Sequence, residues 1–369
     1  MKNTFPSYYK KFRCIADKCP DTCCSGWEIV VDPESLSKYS ALTGGYGETV
    51  RSRLSVDGDG DTVFTSKDGR CPFLLENGLC EMYIELGEDS LCRTCRLFPR
   101  HITSFGARIE TGISFSCPEA ARLITESPEP ITFQTEETDG VIEPTGVDPE
   151  LYFTLIEARK KAFFILQNRN YSVSERMAAF LDFSHELSVP IRKNDFESAK
   201  KAIESEPNFC EIRNFNRGRA EKACNKYFSD FMSLEMLEPE WKTALEAGKS
   251  ADYNAISALS KGSEAFDREY EHLCVYFVFR YFMTAAFDRD LESKAKFAAV
   301  SLIIIRRIQA GLYGSCENKA LRIKVMQKFS KEIEHSENNM AAVLSFIRKS
   351  RFYSVENIIN ILSEQEHNT

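Results

Sequence analysis

Apolar residues recur at helical spacing through most of residues 151–369. Leu151, Phe153, Leu155, Ile156, Ala162, Phe163 and Leu166 fit one amphipathic helix. A second begins near Ser174, ahead of Arg176, Met177, Phe180 and Leu181. The same spacing predicts helices over 240–260, 264–287, 291–311, 320–337, 338–349 and 354–364. With almost no proline and no fixed-period repeat, this part reads as a bundle of short and medium helices. The first 125 residues follow a different pattern. Trp27-Glu28-Ile29-Val30-Val31 alternates as a strand does and stops at Asp32-Pro33. Residues 33–42 are helical in pattern, 63–65 and 108–110 are short strand candidates, and 119–124 follows Pro118 as a helix. Between the two parts, residues 126–150 carry eight acidic side chains, no basic ones and four prolines, the composition of a linker or extended crossover. The expected fold is therefore an α-rich α+β protein. A small irregular module with short strands (1–125) comes first, then an acidic connection (126–150), then a helical bundle (151–369).

No apolar stretch is long enough to span a bilayer. The run from Cys274 to Phe287 is broken by Arg280, and that from Phe297 to Ile305 ends at Arg306-Arg307. The N-terminal residues lack the apolar segment of a secretion signal, so a cytoplasmic protein is expected. A net charge of −8 argues against nucleic acid as a partner.

Cysteine placement changes the picture most. Of 13 cysteines, nine lie between positions 14 and 117: Cys14, Cys19, Cys23, Cys24, Cys71, Cys80, Cys92, Cys95 and Cys117. In a reducing compartment such density points to metal ligation rather than disulfides. The thiols sit among glycine and proline turns that let several sulfurs point inward. Soft donors of this kind suit zinc or an iron–sulfur cluster such as 4Fe-4S. Cys19, Cys23, Cys24, Cys71, Cys80 and Cys95 are the leading candidates, with Cys14, Cys92 and Cys117 behind them. More than four ligands would mean two sites, or ligands mixed with redox thiols. The spacing does not choose the metal: only Cys92-x-x-Cys95 is a zinc-type knuckle. Cys19-xxx-Cys23 stops short of the radical CxxxCxxC pattern, because Gly26 stands where the third cysteine belongs.

Phe12-Arg13-Cys14, Cys19-Pro20-Asp21-Thr22-Cys23-Cys24-Ser25-Gly26-Trp27, Cys71-Pro72-Phe73-Leu74, Leu79-Cys80, Thr94-Cys95…Phe98-Pro99-Arg100 and Ser116-Cys117-Pro118-Glu119-Ala120-Ala121-Arg122-Leu123 together resemble the flagellin lysine-N-methylase family. Phe279-Arg280-Tyr281-Phe282 with Asp288 resembles its helical region. The opening also resembles a broader group of CxxCxxCC zinc- or iron-chelating domains. The resemblance implies methyl transfer from S-adenosylmethionine to lysines of flagellin, with an iron–sulfur cluster involved. It brings in no dinucleotide-type fingerprint: GxGxxG is absent, and Gly44-Gly45-Tyr46-Gly47 follows a helical segment rather than a strand.

Transfer to an amine requires a neutral, oriented lysine in a dry pocket. Tyr83, Trp27, Tyr281, Glu81, Asp288 and Asp290 are possible contributors. Arg280, set among aromatics, needs an anion when buried: a cofactor carboxylate or a structural acid. His101, alone among the histidines, lies in the cysteine region, as a ligand, a supporting donor or an exposed loop residue. Asp57-Gly58-Asp59-Gly60-Asp61 lacks the glycine and glutamate of a calcium loop and reads as a hairpin turn. Two function classes follow: a metal-cluster lysine methylase, or a non-enzymatic metal-binding module fused to a helical interaction domain. A methylase with a structural zinc lies between them.

Overall fold

The computed structural model describes residues 1–25, 29–66, 69–209, 216–252, 255–256, 264–314 and 318–363. Its elements in chain order are β1 (Lys2–Pro6), α1 (Pro33–Ala41), α2 (Gly45–Ser52), β2 (Leu54–Val56), β3 (Thr62–Phe64), α3 (Glu81–Leu86), α4 (Arg93–Leu97), β4 (Arg100–Ser104), β5 (Arg108–Ile113), α5 (Pro118–Glu126) and β6 (Phe133–Glu137). Helices follow: α6 (Pro149–Leu166), α7 (Val173–Lys193), α8 (Phe196–Glu204), α9 (Arg217–Met232), α10 (Pro239–Lys249), α11 (Glu264–Tyr281), α12 (Ala285–Asp288), α13 (Leu291–Tyr313), α14 (Lys319–Phe329), α15 (Glu337–Lys349) and α16 (Val355–Ser363). The fold is mostly helical α+β, as expected. Among the described residues no helix is long and apolar enough to cross a membrane.

A four-stranded sheet, ordered β4-β5-β1-β6, ties the ends of the N-terminal region together. β1 runs parallel to β5, with Asn3 beside Ile109, and antiparallel to β6, with Thr4 beside Thr135. The acidic segment thus supplies a strand. The segment between β1 and β4 leaves the sheet at an interior strand and returns at its edge strand β4.

Two hydrophobic cores result. The small one joins Ile29, Val31, Tyr39, Val50, Phe64, Phe73, Met82 and Cys92, with Cys71, Cys80 and Cys95 packed against it. Ile29 and Val31 point inward while Val30 is exposed, the alternation read from the sequence; Trp27 and Glu28 lie outside the described residues. The large core takes Tyr8, Phe12, Phe105, Ile113, Phe115 and Cys117 from the N-terminal region together with the faces of the long helices. The sheet therefore rests on the bundle. At the crossing of α10 and α13, glycine is required: a Cβ on Gly311 would lie 2.1 Å from the Ala247 carbonyl oxygen.

The Asp57–Asp61 run is the β2–β3 turn, with Asp57 Oδ1 accepting the Asp59 and Asp61 N–H groups. Ser172 caps α7 in a reciprocal box with Glu175. The helix expected at 264–287 breaks after Tyr281 into a 3-10 turn, Phe282–Thr284, and the short α12. The one expected at 320–337 leaves α-geometry after Phe329 and becomes a π-helical turn, Ser330–Glu334.

One carboxylate fastens the cysteine insertion. Asp32 accepts the Ser35 N–H (3.0 Å) and Ser35 hydroxyl (2.8 Å) at the start of α1, and the Arg93 N–H (2.8 Å) at the start of α4. It therefore caps two helices at once. Partial burial works against ionisation, but these hydrogen bonds outweigh it and hold the Asp32 carboxyl at about 2. Asp32→Ala is expected to cost about 1–2 kcal/mol. The wild-type contribution is present above the unfolded value near 3.8 and lost as pH falls through about 2. Urea unfolding at pH 7 and pH 2 checks this: the variant should be the weaker at pH 7 and approach wild type at pH 2. An equal gap at both pH values would contradict it.

Candidate functional site

The nine N-terminal thiols reach their places through turns. Phe12, buried in the large core with Arg100 stacked 5.3 Å over its ring, anchors the chain before Cys14. Cys14 is exposed and accepts the Ala16 N–H. A 3-10 turn, Ala16–Lys18, leads to Cys19, whose thiol donates to the Asp21 carbonyl at 3.3 Å. The Cys71 N–H donates to the Cys24 carbonyl at 2.8 Å, joining the second cysteine loop to the first. A bridge between Leu74 and Cys80 closes that loop. Cys80 and Cys92 are the residues preceding α3 and α4, and Cys95 lies within α4.

All nine thiols are free. They form two neighbouring groups. The charge of Cys24 is felt at Cys71, Cys80 and Cys95 and that of Cys92 at Cys71 and Cys95, while Cys14 acts on Cys19 and Cys117, with Cys24 also felt at Cys19. Cys23 senses Cys24, Cys14 and Cys117, so the adjacent Cys23 and Cys24 join the groups. Burial pushes the Cys71 thiol up to about 12 and Cys117 up to about 11, and raises Cys19 and Cys80. Two members go the other way. A hydrogen bond from Cys23 lowers Cys24 to about 7, and one from Cys95 lowers Cys92. Among the described residues, no three or more His, Cys, Asp or Glu side chains are placed so that they could hold a metal ion as they stand. The donor chemistry nonetheless fits a sulfur-ligated centre: soft thiols, grouped, unbridged, with a thiolate-prone member in each hydrogen-bonded pair.

Against this thiol region stands a buried polar network that the sequence pattern does not announce. Ser114 and Ser116, between β5 and α5, hydrogen-bond His335 Nε2 at 2.9 and 2.8 Å. The hydroxyls of Tyr276 and Tyr281 donate to Glu334 Oε2 at 2.9 and 2.8 Å. Arg280 Nη1 donates to Ser114 Oγ at 3.1 Å and to the Tyr276 hydroxyl at 2.6 Å, and lies 3.2 Å from Glu334 Oε2. Lys331 pairs with Asp21 of the first cysteine loop at 3.0 Å, and Gln327 donates to both Asp21 and the Ser116 carbonyl. Burial, reinforced by Arg280 and Lys331, pushes His335 down to about 3, so it is neutral at pH 7. His101 is also held well below its usual value by burial and by Arg280 and His335. Its ring is packed over Gly112, where a Cβ would meet it at 2.3 Å. The exposed-loop alternative for His101 is thereby replaced: it sits on β4 with its Nε2 buried and, among the described residues, without a partner. Glu334 Oε1 is likewise buried and, among the described residues, without a partner.

The structure separates the other residues proposed from sequence. Arg280 meets the carboxylate of Glu334, and Tyr281 joins the same network. Glu81 pairs with Arg53 at the edge of the small core, and Tyr83 is 49% exposed. Asp288 pairs with Lys294, and Asp290 caps α13 and binds Arg348, so both work as helix-end charges. Trp27 lies outside the described residues. Missed were Asp21, Ser114, Ser116, Tyr276, Lys331, Glu334 and His335. The available signal was Tyr276 one helical turn before Arg280.

Comparison with known proteins bears on the bundle. Residues 159–361 match the model of the FliB lysine N-methylase C-terminal domain. That match contains Tyr276, Arg280, Glu334 and His335. The flagellar biosynthetic protein FliU of Salmonella muenchen is 30% identical over 132 residues, which are 34% of this chain and 78% of that protein. The lysine-N-methylases of Salmonella typhimurium and Salmonella choleraesuis are each 30% identical over 132 residues, 34% of this chain. In both cases the alignment spans a third of the relative's length, 33%. No solved structure matches the chain.

Proposed function

The chain belongs to the FliB lysine N-methylase family, and on that premise we propose that it transfers methyl groups from S-adenosylmethionine to the side-chain amines of lysines in a flagellar protein, flagellin being the substrate. The observation that carries the reading is the family match over 159–361, because that stretch holds the buried Arg280–Glu334 network facing the thiol region. Transfer to nitrogen needs a desolvated amine held in line with the methyl group, and fixed dipoles around it. Tyr276 and Tyr281 fix Glu334, while Ser114, Ser116 and a neutral His335 complete a set of hydrogen-bonding groups that is already ordered. The Asp21–Lys331 pair ties this set to the loop carrying Cys19, Cys23 and Cys24.

Cys19, Cys23, Cys24, Cys71, Cys80 and Cys95 would hold an iron–sulfur cluster or zinc, with Cys14, Cys92 and Cys117 as the neighbouring donors. Such a centre supplies Lewis-acid or electron-transfer chemistry when bound. We place the reaction in the cytoplasm, before the flagellar protein is exported.

Co-expression with flagellin in bacteria lacking a FliB-type methylase tests the reading. Flagellin peptides should gain mass in steps of one methylene on lysine. Unchanged peptides, from cells in which the chain is soluble and metal-loaded, would favour the non-enzymatic metal-binding reading.

A further inference from the structure

We propose that Arg280 and Glu334 seat the α-amino-acid end of the methyl donor, Arg280 taking the carboxylate and Glu334 the ammonium group. The inference rests on the methylase reading and assigns that reaction its donor subsite.

Two groups with unused capacity lie side by side. Arg280 makes all its polar contacts through Nη1, to Ser114, Tyr276 and Glu334. Among the described residues its Nε and Nη2 have no hydrogen-bond partner, and the side chain remains 13% exposed. Glu334 makes all its contacts through Oε2, to Tyr276, Tyr281 and Arg280. Its Oε1 is buried and, among the described residues, has nothing to accept from. Buried acceptors are almost always satisfied, so an orphan in a native core calls for a partner. Arg322, by contrast, uses its guanidinium fork bidentately on Glu269. Here the fork is left over, next to an unused carboxylate oxygen. A zwitterion with a carboxylate and an ammonium on one carbon satisfies both. A lone carboxylate would leave Oε1 orphaned, and a lone amine would leave the fork idle.

The surroundings suit a bound ligand. The π-helical turn Ser330–Glu334 carries Glu334 into the network, and such turns recur at functional sites. Arg280 lies against the faces of Tyr276 and Tyr281, at 5.9 and 5.3 Å, which fixes its plane. Ser116, joined to the network through Ser114 and His335, directly precedes Cys117. The rest of the donor would therefore extend beside the thiol groups.

Calorimetric binding to the intact, metal-loaded chain tests the assignment. The probes are S-adenosylhomocysteine and 5′-methylthioadenosine, which keeps the nucleoside and thioether but lacks the amino-acid end. Wild type should bind the first at least about tenfold more tightly. Arg280→Gln and Glu334→Gln should each weaken it by about 10- to 100-fold, leaving 5′-methylthioadenosine unchanged. If Arg280→Gln does not fold, Arg280→Lys, which keeps the charge without the fork, is expected to be about tenfold weaker. Equal affinity of wild type for both probes, or S-adenosylhomocysteine binding that survives these substitutions, would overturn the assignment while leaving the methylase reading standing. Binding of neither probe by wild type would overturn both.

Discussion

Cys24→Ser is expected to abolish lysine methylation and to strip the metal from the purified chain, lowering both by more than about 100-fold, since even residues that only support a ligand cost 10- to 100-fold. Cys24 is the hinge of the thiol arrangement. Cys71, Cys80 and Cys95 each sense its charge, and its hydrogen bond with Cys23 ties it to the group containing Cys14, Cys19 and Cys117. It is also held near neutrality, at about 7, which makes it ready to ligate as thiolate. Serine keeps the backbone carbonyl that accepts the Cys71 N–H, so the loop junction survives and the sulfur alone is removed. Cys224→Ser, in the core of the helical body, provides the comparison and should leave metal content unchanged. The measurement is metal per chain alongside lysine methylation. Cys24→Ser protein with full metal and full activity would contradict the assignment of the N-terminal thiols as ligands.

The second large effect is on stability. Arg159→Leu is expected to destabilise the fold by about 3–5 kcal/mol, because it strands a carboxylate inside the protein. Glu110 of β5 and Arg159 of α6 form a bidentate pair at 6% and 5% side-chain exposure. Arg159 also donates to the Phe279 carbonyl at 3.3 Å and lies against the rings of Phe163 and Phe279. This contact clamps the sheet to the bundle just before β5 delivers Ser114, Ser116 and Cys117. The double variant Arg159→Leu/Glu110→Leu removes both charges and should recover most of the loss. Urea unfolding of the three proteins measures it. A single variant within 1 kcal/mol of wild type would show that the pair is not what holds the layers together.

What was legible in the sequence follows from how strongly each element depends on local pattern. The long helices α6, α7, α11 and α13 bury broad apolar faces, and periodicity exposed them. The thiols were legible because their loops are short and marked by proline and glycine. The main sheet was not. β1 reads KNTFP, β4 RHITS and β6 FQTEE, each too mixed to mark a strand, and β6 lies in a segment whose charge and prolines suggest a connection. The sheet exists because strands about 100 residues apart in sequence meet on the bundle, a tertiary cause invisible to local pattern. The Glu334 network was hidden for a similar reason. Ser330-Lys331-Glu332-Ile333-Glu334 reads as the polar end of a helix, yet the π-helical turn buries all five residues. Arg280 was noticed because a cation among Phe279, Tyr281 and Phe282 demands an anion. Which anion it meets depended on a residue 54 positions away.

The central claim, that this chain methylates lysine, is tested most directly with protein purified without oxygen, methyl-labelled S-adenosylmethionine and flagellin. The account predicts label on lysine side-chain nitrogen, with matching formation of S-adenosylhomocysteine, and loss of both with Cys24→Ser. Metal-loaded, folded protein that leaves flagellin unlabelled would contradict it.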